Sequence, residues 1–356
     1  MQPSIMAGYG YTAIVVAWLA SLNPLYIAIA SILLAGLRVG VEHLQLDLQV
    51  PAAFGDILEG LILLTSGTPI LYATLGEILC EKAGVLNLGV EGIMIVGAFT
   101  GFMVAHTTGN PLVAVAAAGF AGLLFSSLHG LVCLIFLGNQ VVSGLALTLL
   151  GTGLANYLGT SFVGLSAPGF SPFPIPYLAA IPYLGPIFFN QDLLVYLTYI
   201  LPPLIWFSLH LTKTGLALRA VGENPEAALA AGLHVLRYRW LGILGGGFFM
   251  GIGGAYLSLA YTHLWTNNMT AGRGWIAVAL VIFAFWRPGR AVFGAYLFGG
   301  IMSLQMRMQA TGTQIPSSLL LMLPYILTIL VLILSSLKKG YSDAPAALGV
   351  NMPPRN

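Results

Sequence analysis

Charge is what this chain has least of. Asp, Glu, Lys and Arg make up 7% of its 356 residues and hydrophobic residues 58%, with a mean hydropathy of +0.91. A soluble domain carries about 25% charged residues. A chain this poor in charge cannot cover a water-facing surface, so most of its exterior has to face lipid. The formal net charge of +2 points to neither a nucleic-acid partner nor an acidic substrate.

Other scarcities narrow the function. Cys80 and Cys133, both in apolar stretches, form no disulfide framework and no metal spacing; they read as small core residues. His43, His106, His129, His210, His234 and His263 are scattered without ligand spacing, so no metal site is expected. The chain has no Gly-x4-Gly-Lys-Ser/Thr phosphate loop, so it cannot bind ATP in that way. HExxH, GxSxG and kinase motifs are missing too, and no nucleophile, base and orienter set stands out for an intramembrane enzyme. No cleavable signal is evident: the first apolar stretch, Tyr11 to Leu37, lacks a basic flank and exceeds the usual 7–15 residue signal core of about that length.

What the chain does have is apolar runs almost end to end, at 11–37, 57–80, 88–107, 111–136, 141–160, 193–211, 240–260, 275–286, 291–309 and 319–337. Only helices or closed barrels satisfy their backbone in lipid, and barrel strands are about 10 residues of alternating character. The expectation is an all-α, polytopic transmembrane bundle of about 8–10 membrane helices. The stretch 275–286 is short for a span and reads as a half-helix packed with 291–309 in a re-entrant pair. The proline-rich loop 162–192 reads as an ordered outer-face segment whose aromatics suit the membrane interface. The closely spaced glycines of 242–254 read as a helix-packing face.

Basic residues orient the bundle. Lys213, Arg219, Arg237 and Arg239 cluster in 212–239, Arg287 and Arg290 flank the next turn, and Lys338 and Lys339 follow the last span. Cytoplasmic loops carry the excess of Lys and Arg. That assignment puts 162–192, 261–274 and 310–318 outside. An internal repeat also emerges. Gly10-Tyr-Thr-Ala13 aligns with Gly274-Trp-Ile-Ala277, and at the same offset Pro24 falls on Pro288, Gly36 on Gly300 and Gln45 on Gln309.

The loop 212–239 is the most informative segment. Asn224 at an N-cap, Pro225 at the first helical position and Glu226 in the first turn make a helix start. Ala227 and Ala228 favour the helix, and Gly232 can end it. The result is a short, nearly smooth helix on the cytoplasmic face. It is either an amphipathic connector or, as its Ala-rich surface suits better, a docking helix that seats in a partner's groove.

Glu226-Ala227-Ala228 with Gly232 also resembles the EAA–x3–G loop of ABC importer permeases. The chain from Leu75 onward resembles the nucleoside and simple-sugar branch of those permeases, specifically the second, shorter subunit. The motifs are Glu81-Lys-Ala-Gly84-Val-Leu-Asn87-Leu-Gly89-Val-Glu91-Gly92, Asn139-Gln140-Val-Val-Ser-Gly144, Arg219-Ala-Val-Gly222-Glu-Asn224-Pro225 and Asn268-Met-Thr-Ala-Gly272-Arg273-Gly274. Gly10-Tyr-Thr-Ala13, Leu22-Asn-Pro24, Gly36-Leu-Arg38-Val-Gly40 and Asp56-Ile-Leu-Glu-Gly60 look instead like the closing segment of the companion permease, as in a fusion or an upstream start.

The resemblance implies a division into an N-terminal segment 1–64, a permease domain 65–340 with its coupling loop 212–239, and a cytoplasmic tail 341–356. It implies a permease rather than an enzyme, in a bacterial or archaeal cytoplasmic membrane, with no cofactor of its own because ATP is bound by partner subunits. Its implied partners are an ABC ATPase subunit, a companion permease, an extracytoplasmic solute-binding lipoprotein, a small-molecule solute and membrane lipid. Gly222, Asn224, Pro225, Glu226, Ala227, Ala228 and Gly232 would carry the ATPase coupling. A translocation path is sought at Asn87, Glu91, Asn268 and Arg273. Asn87 and Glu91 either line its inner portion or cap the cytoplasmic start of a helix. Asn268 and Arg273 either meet the binding protein or solute outside or anchor the interface. Simple sugars follow nucleosides as solutes. An ion-coupled secondary transporter is the rival class, but it would want ionisable groups at mid-membrane, where these spans have almost none.

Overall fold

The computed structural model describes residues 52–182, 184–310 and 344–351, with isolated positions between 319 and 333. The apolar stretch 11–37 and the first copy of the repeat lie outside the described residues. Eleven helices are described up to position 310, and five of them begin at a residue whose side chain serves the unpaired N–H groups of the first turn. Helix α1 (Ala52–Lys82) is continuous through position 64 and contributes a span from Leu63 to Lys82. Helix α2 (Val90–Thr108) ends at Gly109, which takes the left-handed conformation (φ 72°) that closes a helix cheaply only at glycine. Helix α3 (Pro111–Gly130) starts with Asn110, whose Oδ1 accepts from Leu112 N at 3.0 Å, and runs on as a π-helical turn, Leu131–Ile135.

Asn139 caps α4 (Gln140–Gly159), and Asp192 caps α6 (Leu193–Leu211) by accepting from Leu194 N at 2.8 Å. Between them the described residues of the 162–192 loop include short α5 (Leu184–Phe188) and two antiparallel strands, β1 (Phe173–Pro174) and β2 (Asn190–Gln191). Thr212 caps α7 (Lys213–Glu223), and α8 (Pro225–Ala230) follows at once. Helix α9 (Val235–Tyr256) continues as a π-helical turn, Leu257–Tyr261. The half-helix read at 275–286 is α10 (Arg273–Phe283), and it packs on α1 and α2 as well as on α11 (Pro288–Ala310).

Six of these helices are long and apolar enough to cross a membrane. They divide into an interior and a rim. Helix α9 lies against α1, α2 and α3 and is mostly buried with α1 and α2, whereas α3, α4 and α6 expose large apolar side chains such as Leu124, Leu149 and Phe207. Glycine makes the interior possible. A Cβ on Gly76 would stand 2.5 Å from the Gly246 carbonyl oxygen, and Gly97 and Gly122 are pressed against the backbone of Gly251 in the same way. Such small-residue faces are how helices approach in lipid, where tails are as apolar as leucine. The glycines of 242–254 therefore pack, as their spacing implied, and both cysteines are buried and free.

Candidate functional site

Two regions bring together the residues singled out in the sequence. The first lies where α7, α8 and α9 follow one another. Asn224 is extended (φ −149°) and its Oδ1 accepts from Ala227 N at 2.9 Å, so α8 starts where its sequence asks it to. Gly232 adopts φ +81°, its N–H donates to the Leu229 carbonyl at 2.9 Å, and Leu233 N reaches back to Ala228 O. Pro225 and Ala228 are buried against the rest of the protein, while Asn224, Glu226, Ala227 and Gly232 are exposed. Gly222 is wedged against the backbone of Lys82 and Gly84, so α7 rests directly on the turn between α1 and α2. Behind it, Arg219 Nε donates to Leu209 O at 2.9 Å and closes the end of α6.

The second region is deeper. The segment after α1 folds back along that helix, because Asn87 N donates to Glu77 Oε1 at 3.1 Å. The Asn87 side chain closes a local turn, accepting from Gly89 N at 2.9 Å. Helix α2 therefore begins well inside the bundle, with Gly92 against Gly151 of α4. Gly151 stands about 16 Å along α4, near the midpoint of that helix. Glu91 does not cap its own helix. Its Oε1 accepts from Thr270 Oγ1 at 2.6 Å and from Gly272 N at 2.9 Å, and its Oε2 accepts from Gly274 N at 2.6 Å. It caps the N-terminus of α10, where orphan N–H groups and the positive end of the helix favour a carboxylate.

This corrects the placement of Arg273 at the outer surface. The chain enters from the face that carries 162–166, where Val163 pairs with Trp265 and Ser166 with Leu264, and dips until α10 starts beside Glu91. Arg273 is 4% exposed; its Nη1 donates to the Met269 and Thr270 carbonyls, and its guanidinium lies 5.7 Å from the Tyr261 ring centroid. Its covalent neighbours Gly272 and Gly274 are two of the donors to Glu91, so one positive and one negative group share the buried cluster. A buried charge needs such compensation. Asn268 stays exposed and pairs with Asn156 of α4 through its Oδ1 at 2.7 Å and its N–H at 3.1 Å.

Helix α10 is gripped at both ends in unusual backbone. Ala271 and Gly272 (φ 47° and 82°) precede it, and Phe285 and Trp286 (φ 53° and 54°) follow it. A left-handed non-glycine residue costs on the order of 1–2 kcal/mol and persists only where its surroundings hold it. The Glu91 bonds hold the first end, and the indole of Trp286, donating from Nε1 to Glu81 Oε2, holds the second. Glu81 and Thr270 stood in the sequence only as members of motifs, with no role of their own, and Glu77 and Trp286 did not stand out; a glutamate inside an apolar run was the one signal that partners had to exist.

The comparisons with known proteins decide the family. The family model described as "Branched-chain amino acid transport system / permease component" matches residues 60–332. The chain belongs to this family. This permease is 46% identical over 249 residues to the putative glucose ABC transporter permease protein TsgC13 of Haloferax volcanii, covering 69% of this chain and 76% of that one. It is 36% identical over 302 residues to the nucleoside ABC transporter permease protein NupC of Lactococcus lactis, covering 81% and 94%. It is also 36% identical over 304 residues to the guanosine ABC transporter permease protein NupQ of Bacillus subtilis, covering 81% and 93%. No solved structure matches the chain. The protein is thus a multi-pass membrane permease of the ABC transporter class, built as a helical bundle.

Proposed function

We propose that this permease is the membrane-spanning subunit of an ATP-driven importer whose solute is a nucleoside, in a bacterial or archaeal cytoplasmic membrane. The observation that carries the reading is the likeness to two nucleoside-class permeases over more than nine-tenths of their length, at 94% and 93%. ATP is hydrolysed on separate ATPase chains, a companion permease completes the path, and a solute-binding lipoprotein delivers the solute.

Two features of the bundle favour this reading. Helix α8 is small, exposed on Glu226 and Ala227, and backed by α7 and the start of α9, which suits a part that is pushed by a partner. The N-terminus of the buried half-helix would otherwise attract an anion. Glu91 already occupies it, which favours a neutral solute such as a nucleoside over a charged one such as a nucleotide.

Simple sugars form the second reading, favoured by the 46% identity to a putative glucose permease. Reconstitution of the complex in proteoliposomes with its binding protein separates the two. ATP-dependent uptake of radiolabelled uridine or guanosine, outcompeted by unlabelled nucleoside and not by glucose, is the expected result. Competition by glucose alone moves the solute to sugars. Uptake that needs an ion gradient and no ATP replaces the importer with a secondary carrier.

A further inference from the structure

The tail beyond the last span does not hang free where it is described: residues 344–351 are laid across the inner face and bonded to four separate pieces of the bundle. Ala347 N donates to Gly222 O at 3.0 Å, and Ala346 N to Glu223 Oε2 at 3.2 Å, both at the end of α7. Gly349 N donates to Gly84 O at 3.3 Å, in the turn between α1 and α2. The Val350 carbonyl accepts from Arg239 Nη1 at 2.9 Å, in the first turns of α9. Asn351 Nδ2 donates to the Leu137 and Gly138 carbonyls, each at 2.8 Å, and its Oδ1 accepts from Gln140 Nε2 at 2.9 Å, in the turn between α3 and α4. Pro345 and Ala347 are buried under this arrangement, and Arg239 is 2% exposed.

The geometry is that of a strap across a seam. Gly222 and Gly84 meet backbone to backbone, and the tail bonds to both, from Ala347 and Gly349. At its far end the strap reaches Gln140, whose Oε1 accepts from Leu86 N at 2.8 Å. Leu86 precedes Asn87, which shapes the start of α2 and so the position of Glu91. An unbroken run of bonds therefore joins the end of the docking element to the cap of the half-helix: α7, the tail, Gln140, the 83–89 turn, Glu91.

We propose that residues 344–351 are a coupling strap, which fastens α7, and through it α8, to the turns α1–α2 and α3–α4 so that a push on α8 reaches both turns together. A tail that merely padded the surface would not need bonds to four segments. The proposal rests on the ATP-driven reading above, and its test separates the two. In the reconstituted complex, uridine and glucose uptake and ATP hydrolysis are measured side by side, for the full chain, for a chain ending at residue 343, and for Asn351→Ala, which removes three bonds and leaves the backbone whole.

With the strap cut, complex yield and ATP hydrolysis stay near those of the full chain, while solute moved per ATP falls on the order of tenfold for the truncation and about threefold for Asn351→Ala. Unchanged solute per ATP in Asn351→Ala and in any assembled truncation overturns the strap and leaves the importer standing. Uptake and hydrolysis falling in proportion to complex yield also overturns it, since that is the mark of lost structure alone. If the full-length complex couples no uptake to ATP, both readings fall. Should the truncation not assemble, Asn351→Ala decides.

Discussion

Helices α8 and α10 are both short, and both begin with N–H groups that have no partner in their own helix. They meet that need in opposite ways. Helix α8 faces water and is capped from within its own sequence, by Asn224 at 2.9 Å. Helix α10 starts in the buried interior and is capped by Glu91 from a helix about half the chain away, with Thr270 completing the carboxylate's shell. A cap beside water can be modest, because solvent stands in when it fails. A buried cap has no such substitute, so its loss leaves several buried polar groups unpaired at once.

Breaking that contrast begins with Glu91→Ala, which strands the Thr270 hydroxyl, two glycine N–H groups and the compensating charge of Arg273. It should lower stability by about 3–5 kcal/mol, read as a large drop in the melting temperature of the detergent-purified protein and loss of uptake. A wild-type melting curve would mean that α10 is held by other contacts. Thr270→Val removes one donor to the same carboxylate and should cost about 1–2 kcal/mol in the same assay, with uptake reduced rather than abolished. Asn224→Ala at the wet helix should cost about 1 kcal/mol, with Asn224→Ser close to wild type. If Asn224→Ala instead matched Glu91→Ala, the difference between wet and dry caps would be gone. Glu226→Lys should barely move the melting curve, by less than about 1 kcal/mol, since only a first-turn charge on an exposed surface is reversed. In the same variant, solute moved per ATP should fall while hydrolysis continues. Unaltered coupling there would remove α8 from the docking role.

The same contrast explains what the sequence let one read. Local rules were legible. The run 193–211 is α6 residue for residue, Asn224-Pro225-Glu226 opens α8, Gly232 takes the left-handed turn, and the short stretch 275–286 is a half-helix. Each of these is decided within a few residues of chain. Which spans lie inside was not legible, because a helix facing lipid and one facing protein are equally apolar here. Nor was the partner of Glu91, 179 residues from Thr270 in sequence, so Arg273 looked like a surface residue. The tail bonds were hidden for the same reason: Asn351 meets Leu137 across 214 positions, through backbone carbonyls that leave no imprint on side-chain choice.

The glycine contacts of α9 also bear on how the chain is made. Gly76, Gly97 and Gly122 reach the membrane early in synthesis, yet the backbone they fit, Gly246 to Gly251, emerges more than a hundred residues later. Until then the first three described spans present shallow grooves that await the backbone of α9, and acyl tails or a chaperoning insertase can stand in. Burial of the centre is therefore a late event in biogenesis, and it waits on α9, the helix that follows α8. A ribosome that stalls within 213–234 would leave behind a product with most of its spans inserted and no interior.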